Sequence, residues 1–249
     1  MKLSVTKIST YLDCPRKFWY RYELHLKTPK SGGFYFGSAV HQGLENYYLG
    51  KDPIQGVTDA LFGKKDSIGE EVKEGVNLVK LEKEARRIFK IYSDQAPHFE
   101  PLLVEHFFEV PLVHPETKEE LPATFRGKID LITEDGAVVD HKTASGSSNG
   151  FWAKKNTLQA NGYSYAYLQM FGKLPSRVIF NTIIKGNTRR EPRFEPDIRG
   201  VTTEDTVMFF EECREALNAI AKGEAMNSPN KRHCRFCSFK AICPYYARR

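Results

Sequence analysis

Gly127-Lys128-Ile129-Asp130-Leu131-Ile132-Thr133-Glu134-Asp135-Gly136-Ala137-Val138-Val139-Asp140-His141-Lys142-Thr143 is the stretch from which the fold is read. Two apolar runs flank Glu134-Asp135-Gly136, a short acidic turn with glycine where a hairpin wants positive φ. The pattern predicts strands over residues 123–133 and 137–143, joined as a hairpin. Side chains alternate faces along a strand, so Asp140 and Lys142 share one face and His141 takes the other. Apolar residues lead into both Asp130 and Asp140, which places the acids at the ends of otherwise buried strands, where an unpaired carboxylate is costly. A divalent metal would satisfy them, since Mg²⁺ binds through one or two carboxylates plus water and phosphate oxygens. Such an ion makes a nucleophile of bound water, while a nearby ammonium orients that water or neutralises developing charge. An isolated Asp-x-Lys is more often an exposed ion pair of small energetic weight. The surrounding sequence has to decide.

Upstream, residues 102–113 alternate or cluster apolar side chains between Pro101 and Pro115, as a strand does. Residues 53–95 are charged and mostly helical, with Val72, Val76 and Val79 on one stripe and Ile88 and Ile91 near its end. We read this stretch as a helical insertion. A helix is expected over about 34–49, after Ser31-Gly32-Gly33. The first segment is helical too, capped by Ser4 or Thr6 and broken at Cys14-Pro15. Downstream, a Gly/Ser-rich loop over 143–150 precedes a helix over about 153–171, a strand over 177–185 and a charged helix over about 203–222. Helix, three strands, helix, strand, helix make an α/β fold on a mixed sheet.

The chain has 249 residues, enough for one substantial core, and we expect a single domain, residues 1–249. Seventeen Phe and 12 Tyr rule out a disordered chain. No apolar run reaches the roughly 18 residues that span a bilayer, and the N-terminal stretch has polar residues where a signal peptide needs apolar ones. A cytoplasmic protein with no membrane partner is therefore expected. The net charge of +6 is compatible with a polyanionic partner.

Further motifs stand around the hairpin. Phe36-Gly37-Ser38-Ala39-Val40-His41 opens a helix upstream, and Gln159 and Tyr163, four apart on the helix after the Gly/Ser loop, share a face. Near the C-terminus, Cys234-x2-Cys237-x5-Cys243-Pro244 forms a compact ligand group, and Cys14-Pro15 supplies a distant fourth candidate. Thiolates at x2 spacing grip one metal centre from a tight turn. Spacing alone leaves zinc and iron-sulfur open, with His233 a competing zinc ligand, whereas Cys213 has no matching partner and reads as a packed thiol.

In this order the motifs resemble the RecB-like branch of the PD-(D/E)XK nucleases, over residues 2–244, most weakly at 53–95. The resemblance implies a restriction-endonuclease-like mixed sheet flanked by helices and a metal-dependent DNA nuclease using Mg²⁺ or Mn²⁺. By it, Asp130 is the first acid, Asp140 the second and Lys142 the catalytic lysine. His41 becomes a metal ligand from the helix, His141 lends its backbone carbonyl to the metal, and Gln159 and Tyr163 match a Q-x3-Y element that shapes the site and touches DNA. The second acid is Asp instead of the commoner Glu, shortening its reach by one methylene. Glu109, on the strand over 102–113, is a secondary candidate for the same site. The four cysteines Cys14, Cys234, Cys237 and Cys243 resemble a 4Fe-4S staple joining the first segment to residues 231–249.

Basic residues concentrate at Arg16, Lys17, Arg21, Lys27 and Lys30, at Lys185, Arg189, Arg190 and Arg193 after the last expected strand, and at Lys231, Arg232, Arg235 and Lys240. Phosphates need such charge, and Phe18, Trp19, Tyr20 and Phe236 offer rings on which single-stranded bases can stack. DNA ends or single strands, bound through the backbone, are the expected partner. An exonuclease, alone or fed by a helicase or another DNA-processing protein, is favoured over a structure-selective endonuclease and a non-catalytic DNA-end binding subunit.

Overall fold

The computed structural model describes residues 1–63, 75–146, 151–187, 189–222, 234–235 and 237–247. A short strand, β1 (Lys2–Leu3), leads into α1 (Val5–Asp13), which Ser4 caps by accepting the Lys7 N–H. Cys14 ends α1 and caps α2 (Pro15–Phe18), whose first position is a proline preset for it. A π-helical turn, Trp19–Glu23, follows. Next come α3 (Gly32–Tyr48), α4 (Pro53–Thr58), a second π-helical turn Asp59–Gly63, α5 (Leu78–Phe89) and α6 (Tyr92–Gln95). The strands β2 (Pro101–Val113), β3 (Glu120–Thr133) and β4 (Val138–Ala144) precede α7 (Phe151–Phe171), β5 (Val178–Ile184), β6 (Arg193–Arg199), α8 (Thr203–Ala221) and α9 (Pro244–Ala247).

The strands form one six-stranded mixed sheet around β3. β2 runs antiparallel along one edge of β3, from Pro101↔Thr133 to Val113↔Glu120. The other edge is shared: β1 pairs parallel at Thr124 and Phe125, and β4 pairs antiparallel at Leu131 and Ile132. The hairpin closes as expected, with Gly136 at φ 78° and its N–H bonded to Thr133 O. α7 carries the chain from β4 to the parallel β5, a connection too long for a hairpin and typical of a helical crossover. β6 then adds antiparallel to β5.

Helices cover both faces. On one, α1, α7 and α8 bury Ile8, Tyr165, Phe209 and Phe210 against Phe125, Val138 and Phe180. On the other, α3, α4 and α5 bury Val40, Leu44, Val57 and Ile88 with Ile183. Every residue of β5 is buried, as a strand covered on both sides requires. Full burial of a side chain such as Phe125 or Leu44 contributes roughly 1.5–3 kcal/mol.

Two expectations need correction. β1 and β6 went unread, so Arg193 lies within a strand and not after the last one. The valine stripe is also displaced: Val76 precedes α5, Val79 is exposed, and Val72 lies outside the described residues. Of the positions expected there Ile88 is buried, joined by Ala85 on the buried side of α5, with Leu78 and Leu81 partly buried beside them.

Candidate active site

The site begins where β4 parts from β3. Beyond Leu131↔Val139, the His141 N–H turns to the Asp130 side chain and donates to Oδ2 at 2.7 Å. That bond fixes Asp130 at the parting of the strands. His41, on α3, places Nδ1 3.5 Å from the same Asp130 oxygen. Glu105 sits on β2 between Val104 and His106, which pair with Leu131 and Ile129, so it stands across from Asp130. One ligand atom from each of His41, Glu105 and Asp130 lies within 4.8 Å of the others. Lys128, two residues before Asp130 on β3, makes an ion pair with Glu105. His41 keeps 34% of its side-chain surface open, onto a cleft of about 480 Å³ that Glu105 and Lys128 also line.

Electrostatics divide the two aspartates. Burial opposes the charge on Asp130, but the His41 cation and the His141 N–H outweigh it and hold the carboxyl at about 2. Burial likewise opposes the His41 cation, yet Asp130, with Asp140 and Glu105 behind it, raises that imidazole to about 9. Burial lowers His141 to about 4. Asp140 and Glu105 are both raised by burial, against the pull of Lys142 and Lys128 respectively.

Asp140 is 3% exposed and engaged on both oxygens. Lys142 Nζ stands 2.6 Å from Oδ2, which confirms that the two side chains share a face of β4. Oδ1 accepts from Tyr163 OH at 2.6 Å and from Gln159 Nε2 at 2.8 Å. The two α7 residues also bond each other, Gln159 Nε2 donating to Tyr163 OH at 2.8 Å. Their four-residue spacing lets one helix face grip one carboxylate. His141 points the other way: its ring stacks on Tyr48, centroids 5.8 Å apart and planes at 17°, and its Nδ1 lies 3.2 Å from Asn181 Nδ2.

Thus Asp130, Asp140, Lys142, Gln159, Tyr163 and His41 converge, and Glu105 and Lys128 join them unannounced. Glu109 does not. It pairs with Lys2 at 3.0 Å and accepts from Thr124 Oγ1 at 3.0 Å, at the β1 end of β3. The β2–β3 register separates Glu105 from Glu109, and sequence alone carries no record of that register.

The cysteines form a second group, drawn from the first and last described segments. Cys14, Cys234, Cys237 and Cys243 line one cavity and form no disulfide. Burial raises the Cys14 thiol, opposed by the backbone N–H groups of Lys17 and Arg16, and neighbouring Cys237 and Cys234 raise it further. Tyr20 packs on Phe239 and donates to Ile242 O at 3.2 Å, tying the two segments together. Cys213 is apart from them, wholly buried in the core of α8. Of the rings considered for base stacking, Phe18 and Tyr20 are buried, and Phe236 lies outside the described residues, as do Lys231, Arg232 and His233. Lys185 and Arg193 are ion-paired, with Glu84 and Glu195.

The mixed sheet flanked by helices, with two acids and a lysine on one hairpin, has the restriction-endonuclease-like architecture. Residues 2–244 match the PD-(D/E)XK nuclease superfamily, and the chain belongs to it. Among solved structures, the chain is similar in fold to a candidate exonuclease from Eubacterium rectale, at 14% identity and a TM-score of 0.56, over 99% of this chain and 87% of that one. The crystal structure of SSO0001 aligns at 13% identity and a TM-score of 0.45, over 98% and 86%. No curated protein matches. No described helix is long and apolar enough to cross a membrane.

Proposed function

We propose that this chain is a divalent-metal-dependent deoxyribonuclease that works from DNA ends, with Mg²⁺ or Mn²⁺ at the His41–Glu105–Asp130 group. The observation that carries the reading is the juxtaposition, across one hairpin, of that open His/carboxylate group with the buried Asp140–Lys142 couple. A mixed nitrogen and oxygen donor set facing a cleft fits such an ion. When bound, the ion supplies the charge that offsets the phosphate and lowers the pKa of water. Asp130 and Glu105 would hold it from the sheet and His41 from α3, with the His141 carbonyl as a further donor. Lys142 orients the attacking water and neutralises charge that builds on the phosphate. Gln159 and Tyr163 fix Asp140 by two hydrogen bonds, so that Lys142 keeps its place beside the site. The choice of ends over internal cleavage follows the designation of the Eubacterium rectale neighbour as a candidate exonuclease.

The four cysteines are the ligands of a 4Fe-4S cluster in this reading. Four thiols around one cavity, unpaired with each other and drawn from both ends of the chain, fit that group.

The test is digestion of end-labelled single- and double-stranded DNA, linear and circular, with and without metal. Linear DNA should be shortened from an end and circular DNA spared. Asp130→Ala, Asp140→Ala and Lys142→Ala should each abolish cleavage while DNA binding largely survives. Wild-type activity in any of them, or activity undiminished in excess EDTA, would overturn the catalytic reading; cutting of circles would overturn end dependence alone.

A further inference from the structure

Arg16 follows Cys14 by two residues and lines the cavity that the four thiols share. Its guanidinium carbon stands 5.2 Å from the Trp19 ring, 5.4 Å from the Tyr245 ring and 5.9 Å from the Tyr20 ring. Rings around a planar cation attract it and restrict where it can go. The clamp is drawn from the same two segments as the cysteines, because Trp19 and Tyr20 follow α2 and Tyr245 belongs to α9.

The clamp leaves one group unprovided for. Nε of Arg16 is buried and has no hydrogen-bond partner among the described residues. A guanidinium N–H can only donate, and burying it without an acceptor is costly. Native structures keep few such orphans, and each calls for a reason. The cavity that Arg16 lines is the one lined by the four cysteines. The Lys17 backbone N–H already donates to Cys14 Sγ at 3.4 Å.

We infer that Arg16 is the group that tunes the four-cysteine centre, with its Nε–H donating to a sulfur of the cluster and its charge offsetting the thiolates. The inference rests on the cluster reading given above. A cluster bound by four thiolates is anionic, and accepting one electron from an external reductant makes it more so. A fixed cation with an N–H···S bond stabilises the reduced form more than the oxidised form, so it raises the reduction potential. Arg16 is a positioning and tuning residue, with no part in phosphodiester chemistry.

The experiment uses the full chain prepared without oxygen, as wild type, Arg16→Lys and Arg16→Met. The first variant keeps the charge and loses the planar Nε–H; the second keeps the aliphatic stem and loses both. Iron and zinc content are measured, and the cluster is titrated with dithionite while visible absorbance and electron spin resonance are followed. The potential should fall from wild type to Arg16→Lys and again to Arg16→Met, and bleaching in air should quicken several-fold in the same order. Should Arg16→Met fail to fold, the shift in Arg16→Lys decides. Iron-loaded wild type with an unchanged potential in Arg16→Lys overturns the role of Arg16 and leaves the cluster standing. Zinc without iron in the wild type overturns the cluster reading and this inference with it.

Discussion

Asp130 and Asp140 are the same residue type on adjacent strands, yet their surroundings drive them in opposite directions. Asp130 faces the His41 cation and is held at about 2; Asp140 is buried among α7 side chains and raised. In the metal-free protein His41 is protonated at neutral pH, since its value is about 9. A cation that takes its nitrogen must displace that proton. Mn²⁺ affinity should therefore rise by about tenfold per pH unit towards pH 9, and calorimetry in buffers of different ionisation enthalpy should show one proton released. Affinity flat between pH 6 and 8 would rule out His41 as a ligand. Glu105→Gln should weaken Mn²⁺ by at least about tenfold, while Glu109→Gln should leave it alone. Stability of the metal-free protein follows from the same shifts by linkage. The raised His41 contributes below its ordinary 6.5 and loses that contribution as pH climbs through about 9. The lowered His141 costs stability as pH falls from 6.5 through about 4, and the Asp130 contribution goes as pH falls from 3.8 through about 2. Denaturant melts should place the maximum near pH 6.5, with the alkaline decline absent in His41→Ala.

The elements that hold these residues depend on close approaches. α3, which brings His41, crosses α4 where a Cβ on Gly56 would stand 2.5 Å from the backbone oxygen of Gln42. Backbone cannot swing aside as a side chain does. Gly56→Ala should destabilise the protein by about 1–3 kcal/mol and, by displacing α3, weaken metal binding as well; an unchanged Tm would count against this packing. The hairpin of β3 and β4 was legible because its pattern is local: alternation, an acidic turn, and a glycine at φ 78°. β6 was not, since Arg193-Phe194-Glu195-Pro196-Asp197-Ile198-Arg199 has the charge and proline that an edge strand tolerates and a loop shares. The valine stripe failed for a related reason. A charged helix shows several apolar phases, and packing against α3 selected the one through Ala85 and Ile88.

At the scale of the whole molecule, the cysteine cavity joins the first segment to the last. Cys14→Ser should lower iron content and destabilise the entire chain, because a cross-link between distant segments acts on global folding. Cys213→Ala should leave iron unchanged, as that thiol is buried in the core of α8. Iron analysis with thermal melts of both variants checks the pair, and full iron in Cys14→Ser would remove it from the ligand set.

By itself the sequence determined the hairpin residues Asp130, Asp140 and Lys142, the helix-spaced Gln159 and Tyr163, and the C-terminal cysteines. Each is encoded by spacing within a single element or by a familiar motif. Only the tertiary structure decided that Glu105 and not Glu109 meets Asp130, that Lys128 comes with it, and that Arg16 is closed in beside the thiols. Periodicity tells which side chains share a face, whereas the register between two strands and the packing of separate segments are settled by the burial of the whole core, which no local pattern contains.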